Sequence, residues 1–339
     1  MSRRPTIGDV ASLAGVSRAT VSFVLNNRPG VASDTQRRVR AAAEELGWTP
    51  SSSARALSTG RARAVGLVLA REPELLGTDP FFPAFMAGIE TVISETGDGL
   101  MLQMSRPEDE VDTYRRLAAD RRVDGVFLTD LRHDDIRPAL VAELGLPAVA
   151  VGTPDSGTGL PSVGLDDRPA VREAVRHLIE LGHRDIAYVA GPEEFVHARR
   201  RSQAWRDALA DAGLPKGTLL PGGFTAEGGA VATRRLLRQP SPPTAIVYGN
   251  DLSATAGMAV AQDAGLRLPE DLSVVGFDDV PLASYTNPSL TTCRSNPVSW
   301  GRASAQALVE LIETGSTSDQ ELEPATLVVR GSTGPAPVR

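Results

Sequence analysis

The segment TIGDVASLAGVSRATVSFVLNN, residues 6–27, decides how the first part of the chain is organised. Thr6 followed by Asp9 is a capping-box pattern, which starts a helix with a regular apolar stripe. Ser17 begins a second helix that ends near Leu25, after a short glycine-containing turn. Two short helices at this spacing are typical of a helix-turn-helix.

A third helix is predicted directly after this pair. It starts at Ser33, with Gln36 in the capping-box position, and continues to Gly47. The first part of the chain is therefore expected to be an all-α bundle of three short helices.

The second helix has two different faces. Val21, Val24 and Leu25 cluster on one arc and must pack against the first helix. The opposite arc faces a partner and carries Arg18, Ala19, Ser22, Phe23 and Asn26. The major groove of B-DNA accepts a helix presented in this way, with its N-terminal residues at the base edges. The alternative is a basic three-helix bundle without a DNA-binding role.

Charge is distributed unevenly along the chain. The 339 residues have a formal net charge of -7, which taken alone argues against a nucleic-acid partner. Residues 1–63, however, contain ten arginines and four acidic residues, a net charge of +6, which leaves -13 for the remainder. This asymmetry indicates an anionic partner at one end of the molecule only.

Compartment signals favour the cytoplasm. Cys293 has no second cysteine with which to form an internal disulfide, which favours a reducing environment. The N-terminus MSRRPTIGDV lacks the apolar core of a secretion signal. Apolar runs such as residues 64–70 are far shorter than the roughly 20 residues that span a bilayer, so we expect no membrane insertion.

The pattern changes after residue 63. Residues 49–63 are small, polar and basic, which is typical of a linker. Short β-rich runs then alternate with amphipathic helices, as in a parallel α/β fold. The strand candidates are AVGLVLA (64–70), LMLQM (100–104), VDGVFLTD (123–130), PAVAVG (147–152), DIAYVAG (185–191), TAIVYGN (244–250) and LSVVGFDD (272–279).

A weak internal repeat divides this α/β region in two. Residues 64–70 match 185–190, residues 123–130 match 244–251, and residues 147–152 match 272–278. Two tandem lobes of this kind create a cleft, and such folds bind ligands at the carboxyl ends of their strands. The last residues, 333–339, are expected to form a disordered tail.

The first segment resembles the DNA-binding head of the LacI/GalR family of transcription regulators. All fixed positions of the pattern T-x-x-D-V-A-x-x-A-G-V-S-x-x-T-V-S-x-V-(L/I)-N are matched from Thr6 to Asn26, and the resemblance continues to about Ser332. It implies that Thr6 meets the DNA backbone and that phosphates are held by Ser17, Thr20, Ser22 and Asn26. The variable base-reading positions that it implies are Arg18, Ala19 and Phe23.

The resemblance extends to the linker and to the start of the third helix. Residues 51–59 resemble the family's hinge helix, with Leu57 at the position of a leucine that enters the minor groove and Ala54 at a small contact position. At the third helix the usual capping serine is replaced by Ala32, so we expect the cap to move to Ser33.

The remaining residues resemble the family's two-lobed core, which is related to periplasmic binding proteins. In the first lobe the resemblance implies an effector-binding loop at Asp79, Phe81 and Phe82. In the second lobe it implies that the effector is met by Arg201, Phe224, Asn250 and Asp278. Asp278 and Arg201 would supply an acceptor and a donor across the cleft, whereas Asp251 and Asp279 are expected to be structural.

The expected organisation follows from these patterns. We expect a helix-turn-helix domain over 1–48, a hinge over 49–62, and a core over 63–332. The first lobe would comprise about 63–164 and 296–318, and the second about 165–294 and 322–332. The fold class is thus an all-α head joined to an α/β core with parallel sheets.

Function is expected to follow the same division. The chain would be a homodimeric repressor of carbohydrate-utilisation genes that binds a pseudo-palindromic operator in double-stranded DNA and responds to a sugar. A non-sugar effector, such as a purine or an acid, and a solute-binding protein are the alternatives. No common nucleotide-binding, zinc-protease or serine-hydrolase motif is present, so neither catalysis nor a cofactor or metal is expected. Three of the four histidines are expected in helices or turns with ordinary surface neighbours. The acidic pairs at Asp134–Asp135 and Asp166–Asp167 are expected to be solvated loop or helix-start residues.

Overall fold

The computed structural model describes residues 5–25, 29–48, 61–155 and 157–338. The head contains α1 (Ile7–Ala14), α2 (Arg18–Leu25) and α3 (Ser33–Glu45). Val10, Val21 and Val39 are fully buried between these helices, which confirms the predicted apolar arcs.

The predicted starts of the first two helices are confirmed. The Thr6 and Asp9 side chains each accept a hydrogen bond from the other residue's backbone N–H, and Gly15 ends α1 in the left-handed conformation. Ser17 Oγ accepts a hydrogen bond from the backbone N–H of Thr20 (3.1 Å), which caps α2.

The predicted cap on α3 is wrong. Ser33 is the first helical residue, and Ala32 occupies the cap position without a side-chain hydrogen bond. The backbone of Ala32 turns into the helix one residue earlier than expected, so the Ser33 hydroxyl cannot act as the cap. Gln36 reaches back instead, and its Nε2 donates to the carbonyl oxygen of Val31 (2.9 Å).

The predicted positions Asn26, Ala54 and Leu57 lie outside the described residues, as does most of the hinge. No helix in the described ranges is long and apolar enough to cross a membrane.

The first lobe is built on a six-stranded parallel sheet with the strand order β11-β5-β4-β3-β1-β2. Its strands are β1 (Ala64–Leu69), β2 (Gly99–Met104), β3 (Gly125–Leu128), β4 (Ala148–Val151), β5 (Ser162–Gly164) and β11 (Gln320–Glu321). Its helices are α4 (Leu75–Thr78), α5 (Phe81–Thr96), α6 (Glu110–Ala119), α7 (Arg137–Glu143) and α12 (Pro297–Thr314), with a 3₁₀ turn at Pro107–Asp109.

The second lobe repeats this plan with the strand order β12-β10-β9-β8-β6-β7. Its strands are β6 (Ile186–Ala190), β7 (Leu219–Pro221), β8 (Ala245–Tyr248), β9 (Ser273–Asp278), β10 (Thr291–Arg294) and β12 (Thr326–Val328). Its helices are α8 (Arg168–Glu180), α9 (Val196–Asp211), α10 (Ala226–Leu237) and α11 (Asp251–Asp263), with a 3₁₀ turn at Pro281–Ser284.

The internal repeat read from the sequence corresponds to equivalent strands of the two sheets. β1, β3 and β4 hold the same places in the first sheet as β6, β8 and β9 hold in the second. The edges differ, because β11 runs parallel to β5 whereas β12 runs antiparallel to β10. Five strands were not predicted from the sequence, namely β5, β7, β10, β11 and β12, each of which has two to four residues.

Within the described residues the chain crosses between the lobes three times: after β5, after β10 and after β11. Because β11 pairs with β5, the first lobe extends to Glu321 rather than to residue 318.

The prediction of a disordered tail is wrong as far as Ala336, because hydrogen bonds hold this segment against the second lobe. The backbone N–H of Gly334 donates to Ser273 Oγ, and that of Ala336 donates to the carbonyl oxygen of Leu181. The buried His183 lies between the Ser273 hydroxyl and the Gly334 carbonyl, within 3.0 Å of each. Polar groups inside the second lobe thus hold a segment whose composition alone is typical of a flexible end.

Two helices of the first lobe approach each other closely through glycines. A Cβ on Gly88 of α5 would lie 2.1 Å from the Val298 carbonyl oxygen, and one on Gly301 of α12 would lie 2.0 Å from the Phe85 carbonyl oxygen. Neither position accepts a larger side chain without separating the helices. This contact brings the aromatic residues at the start of α5 next to Trp300 on α12.

Candidate functional site

A cavity lies between the two lobes, which is where folds of this kind bind small molecules. The lining residues are Arg71, Asp79, Phe81, Phe82, Thr129, Asp130, Val151, His197, Arg201, Phe224, Asn250, Asp278 and Trp300. All seven effector-binding positions expected from the sequence lie in this one lining.

Backbone strain is concentrated around the cavity. Asp130, Phe224 and Asp278 line it with positive φ angles of 50°, 61° and 115°. Residues with a side chain rarely adopt this region, and such residues cluster at binding and catalytic sites. Asp130 follows β3 and Asp278 ends β9, so both lie where parallel α/β sheets bind ligands.

Each lobe contributes one arginine, and each arginine is paired with an aspartate. Arg71 Nε donates to Asp130 Oδ2 (2.7 Å), and its Nη2 donates to Asp130 Oδ1. Arg201 Nε donates to Asp167 Oδ2 (2.6 Å), and its Nη1 donates to the Gly249 carbonyl (3.0 Å).

The pairs keep these arginines charged inside the protein. Burial alone would lower the pKa of Arg201, but the carboxylates of Asp167 and Asp278 raise it above its ordinary value. Burial opposes ionisation of Asp130 as well, and the Arg71 guanidinium nevertheless holds its pKa below the ordinary value. The positive charge of each arginine is therefore balanced by an aspartate before any ligand binds.

Two further aspartates face the cavity without an arginine of their own. Burial raises the pKa of Asp79 above its ordinary value and that of Asp278 well above it. Asp79 Oδ1 accepts a hydrogen bond from the backbone N–H of Phe81 (3.0 Å). No hydrogen bond joins the Asp278 carboxylate to another residue in the described part of the chain. These oxygens are free acceptors for a ligand.

Two expectations about these charges are wrong. Arg201 and Asp278 do not face each other across the cleft, because both belong to the second lobe. Asp167 lies at the start of α8, as expected, but it is the buried partner of Arg201 rather than a solvated residue, only 5% exposed. Asp135 is partly buried and paired with Arg137, while Asp134 is exposed as expected.

The two arginines that precede Arg201 do not line this cavity. Arg199 is exposed, and Arg200 donates to Asp155 (3.0 Å) and to the backbone carbonyl of Thr153 (2.8 Å).

Asn250 supports the cavity wall through both ends of its amide. Its Oδ1 accepts from the backbone N–H of Ser253 and caps α11, while its Nδ2 donates to the carbonyl oxygen of Phe224 (3.0 Å for both). Asn250 thus lines the cavity and also fixes the strained backbone of Phe224.

Phe224 is held between a histidine and two glycines. Its ring stacks on His197 at 5.5 Å, and His197 stacks in turn on Phe195. A Cβ on Gly191 would lie 2.0 Å from the Phe224 ring, and one on Gly249 would lie 2.9 Å from it. Glycine at both positions is therefore required for this ring packing.

His197 is a cavity residue that sequence reasoning missed. No pattern in the sequence distinguishes it from the other histidines, and burial lowers its pKa to about 3, so it is neutral at physiological pH. Its role is consequently that of a ring in an aromatic column rather than of a charged group.

The other missed lining residues are Arg71, Thr129, Asp130, Val151 and Trp300. The internal repeat contained a signal for two of them, because Thr129–Asp130 follow β3 as Asn250 follows β8. Arg71 lies in a loop after β1, where no periodic pattern distinguishes it.

Asp251 and Asp279 have structural roles, as predicted. Asp251 accepts hydrogen bonds from the Thr292 hydroxyl and from the backbone N–H of Val280. Burial raises its pKa to about 7. Asp279 forms ion pairs with Arg294 and Arg330.

The exposed face of α2 is the second candidate surface. Arg18, Ala19 and Phe23 are exposed, whereas Ser22 and Thr20 are partly buried. The Arg18 guanidinium lies over α1, and a Cβ on Gly8 would be 3.0 Å from it. A large aromatic ring on a small basic domain, 43% exposed at Phe23, is typical of a recognition surface.

The fold and the two surfaces define a class of protein, a helix-turn-helix head joined to a two-lobed small-molecule-binding core. The description "Bacterial regulatory proteins, lacI family" matches residues 6–51, and "Periplasmic binding protein-like domain" matches residues 175–333.

Relatives match over nearly the whole length of the chain. It is 37% identical over 334 residues to the HTH-type transcriptional regulator CelR of Thermobifida fusca, covering 96% of each chain. It is 38% identical over 339 residues to AglR of Rhizobium meliloti (strain 1021), covering 97% of this chain and 94% of AglR.

Solved structures are also similar over nearly the whole length of the chain. A CelR–cellobiose complex is similar with a TM-score of 0.73 and 35% identity, over 97% of this chain and 100% of the other. The lac repressor dimer bound to operator and the anti-inducer ONPF has a TM-score of 0.86 and 29% identity, over 98% of this chain and 100% of the other. The chain belongs to the LacI family and is a DNA-binding transcriptional regulator.

Gly191→Ala tests the packing of the cavity wall. The added methyl group overlaps the Phe224 ring, so we expect a loss of about 1–3 kcal/mol in the free energy of unfolding, measured by urea denaturation. Gly157→Ala is the control, because a Cβ there meets no atom within 4 Å. Equal stability of the two variants would contradict the described position of Phe224.

Proposed function

We propose that this regulator is a repressor that binds a pseudo-palindromic operator as a homodimer and responds to a neutral carbohydrate in the inter-lobe cavity. The observation that carries the effector class is the charge arrangement of the cavity. Both of its arginines are paired with aspartates, while Asp79 and Asp278 keep acceptor oxygens towards the cavity.

A polyhydroxyl ligand complements this arrangement. Sugar hydroxyls donate to carboxylate oxygens, and a hydrogen bond to a charged group contributes about 1.5–3 kcal/mol. The C–H faces of a sugar ring pack on aromatic rings, and Phe81, Phe82 and Trp300 line the same cavity.

An acidic effector fits less well. Arg71 and Arg201, the arginines of the lining, are already paired with Asp130 and Asp167, so a ligand carboxylate would have to compete with a partner that is in place. Burying a charge without a partner is costly. This pairing therefore favours a neutral effector over an acid.

The relatives support the same effector class. A similar solved structure is a CelR complex with cellobiose, over 97% of this chain. A solute-binding protein without regulatory function is disfavoured, because the chain carries the lacI-type head.

The DNA-binding proposal rests on the exposed face of α2. Arg18 would donate to a guanine edge in the major groove, and Ala19 and Phe23 would contact thymine methyl groups. Phosphate contacts are proposed for Thr6, Ser17, Thr20, Ser22 and Asn26. In the hinge, Ala54 and Leu57 are proposed to meet the minor groove, where an inserted apolar side chain kinks the duplex.

Linkage between the two ends follows from the dimer. Two heads that dock one half-site apart require a particular arrangement of the two cores. A ligand that changes the lobe arrangement changes that fit, so binding at one site alters affinity at the other. The similar lac repressor dimer is bound to operator together with an anti-inducer.

The effector and the operator are tested together by fluorescence anisotropy at fixed salt. The probe is a pseudo-palindromic sequence from upstream of the protein's own gene, titrated in the presence of glucose, cellobiose, maltose, adenine, guanine or gluconate. We expect binding that resists random competitor DNA and that one sugar weakens. Release by a purine or by gluconate would contradict the carbohydrate proposal.

Asp278→Asn isolates the cavity in that assay. Loss of a carboxylate oxygen as acceptor is expected to raise the sugar concentration needed for release by about 10- to 100-fold, with operator affinity in the absence of sugar retained. Asp263→Asn, an exposed aspartate on α11, serves as the matched control and should behave like the unmodified protein. Equal responses of the two variants would contradict a ligand contact at Asp278.

Arg18→Ala tests the head independently of any effector. A base contact is worth about 1–3 kcal/mol of discrimination, so affinity for operator should fall while affinity for random DNA of equal length changes little. Equal weakening on both DNAs would assign Arg18 to a phosphate contact instead, because phosphate contacts do not depend on sequence.

A further inference from the structure

Arg71 of the first lobe lies against aromatic rings of the second lobe. Its guanidinium carbon is 4.7 Å from the centre of the Phe195 ring and 6.0 Å from that of Phe224. Within its own lobe it is 5.4 Å from the Phe82 ring. These cation–π distances place the side chain inside the cleft, where a ligand ring would otherwise contact the same aromatic groups.

Arg71 is held firmly in this position. Nε and Nη2 both donate to Asp130, whose own carbonyl oxygen accepts from Arg137 Nη2 (3.0 Å). Arg137 is only 2% exposed and is anchored by Glu110 and Asp135. The Asp130 backbone is thus fixed by a buried ionic network, and Asp130 in turn fixes Arg71.

One nitrogen of Arg71 remains available. No hydrogen bond joins Nη1 to another residue in ranges 5–25, 29–48, 61–155 and 157–338. Arginine has five N–H donors in a planar arrangement, so Nη1 can donate to a ligand while the opposite edge stays on Asp130.

A second cavity adjoins the first. Val151, His197 and Trp300 line both, and the second continues to Arg200 and Glu321. Arg71 lines the first cavity and not the second. The space open to a ligand therefore extends beyond the first cavity, and Arg71 occupies part of the cleft within the first.

We propose that Arg71, anchored on Asp130, is the specificity-determining residue that limits the length of the saccharide this cleft accepts. Its side chain occupies part of the cavity against Phe195 and Phe224, and its free Nη1 donates to the sugar unit that reaches it. This inference rests on the proposed carbohydrate effector and adds a length limit to it.

The test compares two double variants with the unmodified full-length protein. Removing either member of the pair alone would leave the charge of the other without a partner, which destabilises a protein strongly, so both variants also carry Asp130→Asn. Arg71→Ala/Asp130→Asn removes both the bulk and the charge of the arginine, and Arg71→Met/Asp130→Asn removes the charge but keeps a long side chain.

Calorimetric titrations use glucose, cellobiose and cellotriose, and separately maltose and maltotriose. We expect the unmodified protein to discriminate by about tenfold or more between its preferred sugar and the next longer homologue. Arg71→Ala/Asp130→Asn should reduce this discrimination by about tenfold, whereas Arg71→Met/Asp130→Asn should retain most of the discrimination of the unmodified protein.

Three outcomes would overturn the inference. Unchanged length discrimination in the alanine variant would show that Arg71 does not limit the ligand. Equal effects of alanine and methionine would assign the role to charge rather than to space. Failure of every sugar to bind the unmodified protein would instead contradict the carbohydrate proposal, and the length limit with it.

Discussion

The buried ion pair between Arg201 and Asp167 is the interaction on which the cavity depends. It connects α9 to the first crossover between the lobes, and Arg201 also holds the carbonyl of Gly249 and lies 3.5 Å from the Phe277 ring centre. A buried charge is costly unless it is paired, and removal of one partner typically costs about 3–5 kcal/mol. The pair fixes the geometry of the second lobe and also leaves the cavity with acceptors in excess of free donors.

The first lobe reaches a similar balance through different residues. Arg71 and Asp130 come from loops that follow β1 and β3, and the Arg137 network behind them fixes Asp130. Each lobe thus contributes to the cavity one arginine that is paired with an aspartate and one further aspartate. This shared arrangement is the physical basis for a neutral, hydroxyl-rich effector, since a charged one would have to displace a buried partner.

The elements that were predicted correctly are those determined by residues close together in the chain. The capping box at Thr6, the apolar arc of α2 and the long central strands all follow from residues close together in the chain. Strands of two to four residues, such as β5 and β11, are too short for an alternating pattern to distinguish. The cap at Ser33 was wrong because backbone geometry at Ala32, rather than residue type, set the helix start.

The residues of the site also divide into those that could be identified from the sequence and those that could not. The resemblance placed seven residues, which the structure brings into one cavity, whereas Arg71, Asp130 and His197 escaped notice. Asp167 and Arg201 are 34 residues apart, so no local pattern pairs them. The same holds for the tail, whose order depends on His183 and Ser273 far back in the chain.

The central claim is that the cavity and the DNA-binding head are thermodynamically linked. The most direct measurement is calorimetric titration of the releasing sugar into the protein, free and saturated with operator, at one salt concentration. The account predicts that operator weakens sugar binding by the same factor by which the sugar weakens operator binding. Identical sugar affinity with and without operator would contradict it.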